Sequence, residues 1–329
     1  MVIPAEVQKI AQDIREMKIR GAGEIARSAA RALLIAARGS KAKDVSLLME
    51  DLGAASKLLL ETRPTAVSLP NSIRYVMVRV RQTQSKTSDL EEMRSLAIKT
   101  AQDFIENSKK AIKRIGEIGA RHIQDGDVLL THCNSSAVTS IIKTAWSQGK
   151  RVKIFVTETR PRFQGLITAR ELTEAGIPVT LIVDSAARFF MTEIDKVLVG
   201  ADAITANGAV VNKIGTSMIA LAAHEARVGF FVAAETYKFS PETIIGDVVT
   251  IEEREPTEII SQTDLEKMPS VTVRNPSFDV TPAKYIDLII TERGIIPPQG
   301  AIIMIQESFG AITPEELMEY QTFKISEEY

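Results

Sequence analysis

The sequence predicts an α/β protein: a helical N-terminal domain, residues 1–122, followed by a parallel-sheet α/β domain, residues 123–329. Three observations carry this expectation. Up to about residue 120, apolar positions recur at three- and four-residue spacing, the period of a helix with one buried face. Beyond Gly126, short continuous apolar runs alternate with helical patterns, as a parallel sheet covered on both faces requires. The length of 329 residues suits two domains, at roughly 150 residues each.

In order along the chain, "EIARSAARALLIAARG" is the first strong helical pattern and ends in Gly39, a stop signal. "DVSLLMEDLGAASKLLLETRP" is a second, closed by Pro64. "SDLEEMRSLAIKTAQDFIENSKKAIKRIGEIGARHI" is a third, opened by a Ser88/Asp89 cap and an acidic first turn. Strand-like runs then follow: "DVLLTH", "VKIFVTET", "VTLIVD", "KVLVGAD", "GFFVAA" and "IDLIITE". Helical patterns lie between them in "SSAVTSIIKTAWSQG", "QGLITARELTEAG" and "GTSMIALAAHEARV". Ligands of such sheets sit outside the carboxyl ends of the strands. No G-x-G-x-x-G follows a strand and no Walker A pattern occurs, so nucleotide-dependent redox or kinase chemistry lacks its usual signature.

Composition narrows the function classes. Hydrophobic residues are 45% and charged residues 25%, enough for a real core. A net charge of −2 argues against wholesale binding to nucleic acid or an anionic membrane. One cysteine cannot form an intramolecular disulfide, which fits a reducing compartment. The N-terminal stretch carries charges throughout and has no signal-peptide core. No apolar run reaches the roughly 20 residues a membrane-spanning helix needs. The expectation is a cytoplasmic protein.

The residues that carry chemistry cluster at strand exits and helix starts. Cys133 follows "VLL" and precedes "NSSA", where a helical pattern begins. A helix N-terminus lowers a thiol's pKa; a small buried hydrophobe fits the same position. His132 points to the opposite strand face, so a Cys–His dyad is not implied. Three scattered histidines and one cysteine have no metal-ligand spacing. Asp202 in "KVLVGADAIT" and Asp184 in "VTLIVDSAA" both end an apolar strand, and composition does not choose between them. Five places offer cations for an anion. Arg20 stands beside two glycines at a helix mouth, where exposed backbone N–H groups suit phosphate. Arg63 and Arg160 each precede a proline, which keeps them out of the helical region. Asn212 with Lys213, and Lys238 beyond a strand, complete the set. Each alone also reads as a solvated charge; together they point to a polyanionic small molecule.

The same stretches carry a resemblance. "RGAGEI", "TRPTAV", "THCNSSA", "ETRP", "GADAI…NGAVVNKIGT", "YKF", "NPSFDVTP" and "ITERG" run in order from Arg20 to Gly294. Together they resemble the superfamily that joins methylthioribose-1-phosphate isomerase with the regulatory subunits of translation initiation factor 2B. Within it, they resemble the branch of the archaeal ribose-1,5-bisphosphate isomerases. The resemblance implies a helical domain followed by a Rossmann-like domain. It implies Cys133 as proton-abstracting base and Asp202 as its partner, leaving Asp184 outside the motif. It implies substrate contacts from Arg20, Gly21, Ala22, Gly23, Arg63, Ser135, Ser136 and Ala137. Arg160, Asn212, Lys213 and Lys238 are implied likewise. A non-catalytic regulatory subunit generally lacks the cysteine–aspartate pair, which is intact here. Lys238 in "AAETYKFS" supplies a charge where a thioether would want none, favouring a bisphosphorylated sugar over methylthioribose 1-phosphate. The branch acts in AMP breakdown, feeding RubisCO. The resemblance further implies no metal or redox cofactor, AMP as an allosteric activator, and a homo-oligomer, a dimer-based hexamer.

Overall fold

The computed structural model describes residues 3–63, 66–84, 89–246 and 248–309. The chain divides into two compact units. One comprises Met1–Lys110, Tyr237–Asp247 and the chain from Ile305; the other comprises Ala111–Thr236 and Val248–Met304. The sequence places the change of character at residue 122. By contacts the division falls at Lys110, because the last turns of one long helix pack with the sheet, and Tyr237–Asp247 returns to the helical unit.

The first unit holds α1 (Ala5–Arg15), α2 (Ala22–Gly39), α3 (Val45–Leu60), α4 (Ser68–Gln84) and most of α5 (Leu90–Gly119). Helix α2 buries Ala26, Ala29, Ala30, Leu33, Ala36 and Ala37, and so many small side chains let neighbouring helices approach closely. Its core continues through Leu48, Leu52 and Leu59 of α3 and Ile73 and Met77 of α4. Each large apolar side chain there contributes about 1.5–3 kcal/mol by leaving water. Pro64 and Ser88 lie outside the described residues. Asp89 does cap α5, accepting from the backbone N–H of Glu91 at 2.9 Å and of Glu92 at 3.1 Å.

Helix α4 has no clear sequence signature because it is buried on nearly every side, polar residues included: Ser68, Asn71, Ser72 and Arg74 are all buried. Pro70 sits in its first turn, where no intrahelical N–H bond is lost. Asn71 donates from Nδ2 to the carbonyls of Tyr237 (2.9 Å) and Phe239 (2.8 Å). The Arg74 guanidinium donates to Asn71 Oδ1 at 2.8 Å and pairs with Glu242. These bonds bring Tyr237–Glu242 onto α4. Removing one partner of a buried ion pair strands the other charge and costs about 3–5 kcal/mol. Arg74→Met is therefore expected to lower stability by that amount, to be read from urea unfolding followed by circular dichroism; a loss under 1 kcal/mol would contradict it.

The second unit is the α/β layer. Its elements are β1 (Val128–Thr131), α6 (Ser136–Ser147), β2 (Lys153–Thr157), α7 (Gln164–Glu174), β3 (Val179–Ile182), α8 (Ala187–Phe190) and β4 (Lys196–Val199). There follow β5 (Ala203–Ile204), β6 (Val210–Lys213), α9 (Thr216–Ala226), β7 (Gly229–Ala233), α10 (Gln262–Glu266), β8 (Phe278–Thr281), β9 (Leu288–Thr291) and β10 (Gly294–Ile296). Helix α11 (Ala301–Phe309) ends the described chain. The main sheet runs β10-β9-β7-β4-β1-β2-β3, parallel except for the antiparallel β10 edge. Its six parallel strands are the six runs read from the sequence. Leu129, Ile154, Val156 and Leu198 lie in its core. A three-stranded antiparallel sheet, β5-β6-β8, stands apart from it.

Strand order reverses at β1: β2 and β3 lie on one side, β4 and β7 on the other. The crevice for ligand is expected at that point, outside the carboxyl ends of β1 and β4. Among the described residues no helix is long and apolar enough to cross a membrane.

Candidate active site

Strand β1 runs out into His132–Ser135, and α6 begins at Ser136, with the Ser135 side chain accepting from Val138 N–H. Cys133 sits in the turn with φ +69°, a left-handed conformation that non-glycine residues adopt at a cost. Two threonines hold it there. Cys133 N–H donates to Thr159 Oγ1 at 2.9 Å, and Thr168 Oγ1 donates to the Cys133 carbonyl at 2.8 Å. Asn134 Nδ2 reinforces the second by donating to Thr168 Oγ1 at 3.0 Å.

Asp202 arrives from the neighbouring strand, since Leu130 of β1 pairs with Val197 of β4. A side chain at Gly200 would place its Cβ 2.6 Å from Ser135 Oγ and 2.7 Å from Ser135 Cβ. The glycine is thus what lets the β4 exit press against the α6 cap. Asp202 N–H then donates to Val211 O at 2.9 Å, opening the β5–β6 hairpin.

That hairpin delivers the third wall. Lys213 is 4% exposed; its Nζ donates to Ser277 O at 2.9 Å and lies 4.7 Å from the centre of the Phe278 ring. Asn212 Nδ2 donates to Thr216 Oγ1 at 3.0 Å, which in turn donates to Lys213 O at 2.6 Å. Asp279 accepts from Gly215 N–H at 2.8 Å and Ser217 N–H at 3.1 Å. The first turn of α9 is therefore filled by the chain's own carboxylate, and burial raises that carboxyl's pKa despite these donors.

The thiol departs from its expected electrostatics. Position before a helix start suggested a lowered pKa, but burial dominates and pushes Cys133 up to about 11. The Lys213 charge, the Asn134 N–H and, more weakly, Arg254 pull it down, whereas Asp202 pushes it further up. The α6 N-terminus is three residues away and already answered by Ser135, so it does not outweigh desolvation. Burial lowers Lys213 in turn, and Cys133 is the charge that most opposes this. Thiol, lysine and aspartate thus share one electrostatic neighbourhood.

Arg254 was not legible in the sequence. In "IEEREPTE" it reads as one member of a solvated charge run. Its side chain is in fact only 10% exposed, with Nε 3.2 Å from Glu252 Oε1 and its guanidinium carbon 6.0 Å from the Phe278 ring centre that Lys213 also approaches. The β6–β8 pairing sets Lys213 opposite Phe278, and Arg254 N–H, donating to Asn275 O at 2.9 Å, brings the arginine to the same ring.

The rival carboxylate is committed elsewhere: Asp184 accepts from Thr159 N–H and Arg160 N–H, both at 2.7 Å. It is a loop anchor. Arg160 keeps its backbone at this wall, but its exposed guanidinium turns to Ile259 O at 3.3 Å and to the Phe163 ring. Ser136 is exposed and Ala137 buried, both at the start of α6. Arg20, Gly21, Ala22, Gly23, Arg63 and Lys238 belong to the first unit. There Gly21 has φ +82° directly before α2, and Ser68 Oγ donates to Ala22 O at 2.8 Å, joining the starts of α2 and α4. Among the described residues no group of three or more His, Cys, Asp and Glu side chains is placed to hold a metal.

Comparison with known proteins agrees with this architecture. The model of the initiation factor 2 subunit family matches residues 18–298. A ribose 1,5-bisphosphate isomerase of Thermococcus kodakarensis is 57% identical over 311 residues, covering 94% of this chain and 97% of that one. The crystal structure of the translation initiation factor eIF-2B of Pyrococcus horikoshii superposes with a TM-score of 0.77 at 37% identity, covering 91% of this chain and 99% of the other. The 5-methylthioribose 1-phosphate isomerase of the same organism gives 0.73 at 32% identity, over 92% and 87%. The matched span takes in the β1 turn, the β4 exit and the β6–α9 loop alike, and the chain therefore belongs to the initiation factor 2 subunit family.

Proposed function

We propose that this chain is an aldose–ketose isomerase converting ribose 1,5-bisphosphate to ribulose 1,5-bisphosphate. The observation that carries the reading is 57% identity to a ribose 1,5-bisphosphate isomerase across nearly the full length of both chains, with Cys133 and Asp202 both present at neighbouring strand exits.

The chemistry accounts for the need for such a pair. A ribose with phosphate on its anomeric oxygen cannot open to a free aldehyde. Asp202 gives a proton to the ring oxygen, and ring opening leaves an oxocarbenium at carbon 1. That cation acidifies the proton on carbon 2, which Cys133 removes. The enol then gives its hydroxyl proton to the Asp202 carboxylate while the Cys133 thiol delivers a proton to carbon 1, leaving a ketone at carbon 2 and both residues as they began. One acid and one base suffice. A thiol raised to about 11 gives a strongly basic but scarce thiolate. Positive charge developing at carbon 1 adds to Lys213 and Arg254 in stabilising it. Arg20, Arg63 and Lys238 are proposed as the phosphate-holding cations, AMP as an activator and a dimer-based hexamer as the assembly.

Phosphorus and carbon NMR after incubation with ribose 1,5-bisphosphate should reveal ribulose 1,5-bisphosphate, formed without added metal or nicotinamide. Conversion of methylthioribose 1-phosphate in preference would move the assignment to the thioether sugar. Turnover of neither would place the chain with the regulatory subunits.

A further inference from the structure

His132 is 1% exposed and packs beneath the catalytic turn. Its Nε2 lies 2.8 Å from the Ile214 carbonyl and its Nδ1 2.6 Å from Thr157 Oγ1. A carbonyl only accepts, so Nε2 carries the hydrogen. Burial lowers the pKa of the ring, against the Ile214 carbonyl and Asp184, and with Lys213. The imidazole is then neutral, and Nδ1 accepts from the Thr157 hydroxyl. Gly215 completes the contact: at φ +101°, a Cβ there would stand 3.3 Å from the ring's Cε1 and Nε2. One ring therefore spans the residue before Cys133, the end of β2, and the residues after Lys213.

We infer that His132 is a positioning residue for the isomerase reaction, its imidazole tying the Cys133 turn to the Lys213–Gly215 turn so that the thiol and the lysine keep one register. Peptide geometry alone leaves these turns free to slide, since Cys133 is held by Thr159 and Thr168 on one side and Lys213 by Ser277 on the other. Among the described residues, the ring joins the two turns through its bond to the Ile214 carbonyl. The groups that face the thiol are Lys213, Asp202 and Arg254; those that face the ring are Asp184 and Lys213.

The inference deepens the function proposed above, but its test needs no sugar. Cys133 is the sole cysteine, so iodoacetamide alkylation of the ligand-free protein at pH 9 reports this thiol alone. Lys213→Met removes an opposing charge and should slow alkylation about tenfold. In a His132→Leu background the same substitution should slow it less than about twofold, because lysine and thiol no longer share a register. His132→Gln, which keeps a donor for the Ile214 carbonyl, should restore most of the coupling. With sugar, His132→Leu should lower kcat while leaving KM within about twofold. If His132→Leu fails to fold, Thr157→Val removes the nearer Nδ1 partner, leaving Thr159 Oγ1 at 3.5 Å, and the same cycle is read there, with a smaller loss of coupling. Equal Lys213→Met effects with and without the ring, or none in the parent protein, would overturn the inference. Loss of coupling in a protein inactive on ribose 1,5-bisphosphate would instead retain the clamp and reject the substrate.

Discussion

Cys133→Ser is expected to leave a folded protein that has lost at least about 10²–10⁴-fold in turnover, the worth of a general-base step. Serine is nearly isosteric, and the bonds that hold the turn come from the backbone of residue 133, not its side chain. The left-handed φ of +69° is unchanged in cost, since neither residue is glycine. What disappears is an acid that ionises near 11; an alcohol ionises several units higher, beyond what Lys213 and Arg254 can recover. Asp202→Asn should do comparable damage by a different route, as an amide cannot deliver the ring-opening proton. If the two act as a unit, the double variant falls well short of the product of the single losses. Measured kcat with an unchanged melting temperature tests all three. Normal turnover by Cys133→Ser would return the thiol to the core.

Gly165→Ala is expected to cost about 3 kcal/mol of stability, the upper end of what an overpacking methyl group does. A Cβ at that position would stand 1.7 Å from the Thr157 carbonyl oxygen and 2.8 Å from its carbon. Those are backbone atoms of β2, so neither can rotate away. Helix α7 must shift or β2 must bend. Thr157 is also the hydroxyl that meets His132, so activity should fall with stability. Gly53→Ala in α3 is the contrast: nothing lies within 4 Å of its Cβ. That substitution should stabilise by about 0.5–1 kcal/mol through helix propensity. Urea unfolding of the two variants should move in opposite directions; equal shifts would show that backbone clash is not the determinant at Gly165.

The six parallel strands were legible because each is a continuous apolar run bounded by turn residues. The small sheet was not. Its β6 strand ends in Asn212 and Lys213, buried polar residues that read as an anion motif; its partner β8 is only four residues long. Both depend on antiparallel pairing at long range, which no local pattern announces. Helix α4 was hidden for the opposite reason: its polar residues are buried by bonds to Tyr237–Glu242, which removes the amphipathic contrast that periodicity detects. At the site, strand ends and glycines located Cys133, Asp202 and Lys213. Resemblance favoured Asp202 over Asp184, and the structure independently gives Asp184 a loop to hold. The thiol's electrostatics ran against expectation because burial is a property of the packed chain and the helix start is a property of the sequence.

Burial that pushes the Cys133 thiol up to about 11 also bears on how fast it should oxidise. Peroxides and electrophiles attack the thiolate, and two units of pKa make that form about a hundredfold scarcer near neutrality. A reagent that scavenges exposed cysteines within minutes should need hours here. On the mechanism proposed above, the sulfur assigned as the base would thereby stay protonated and slow to react until positive charge develops on the sugar beside it.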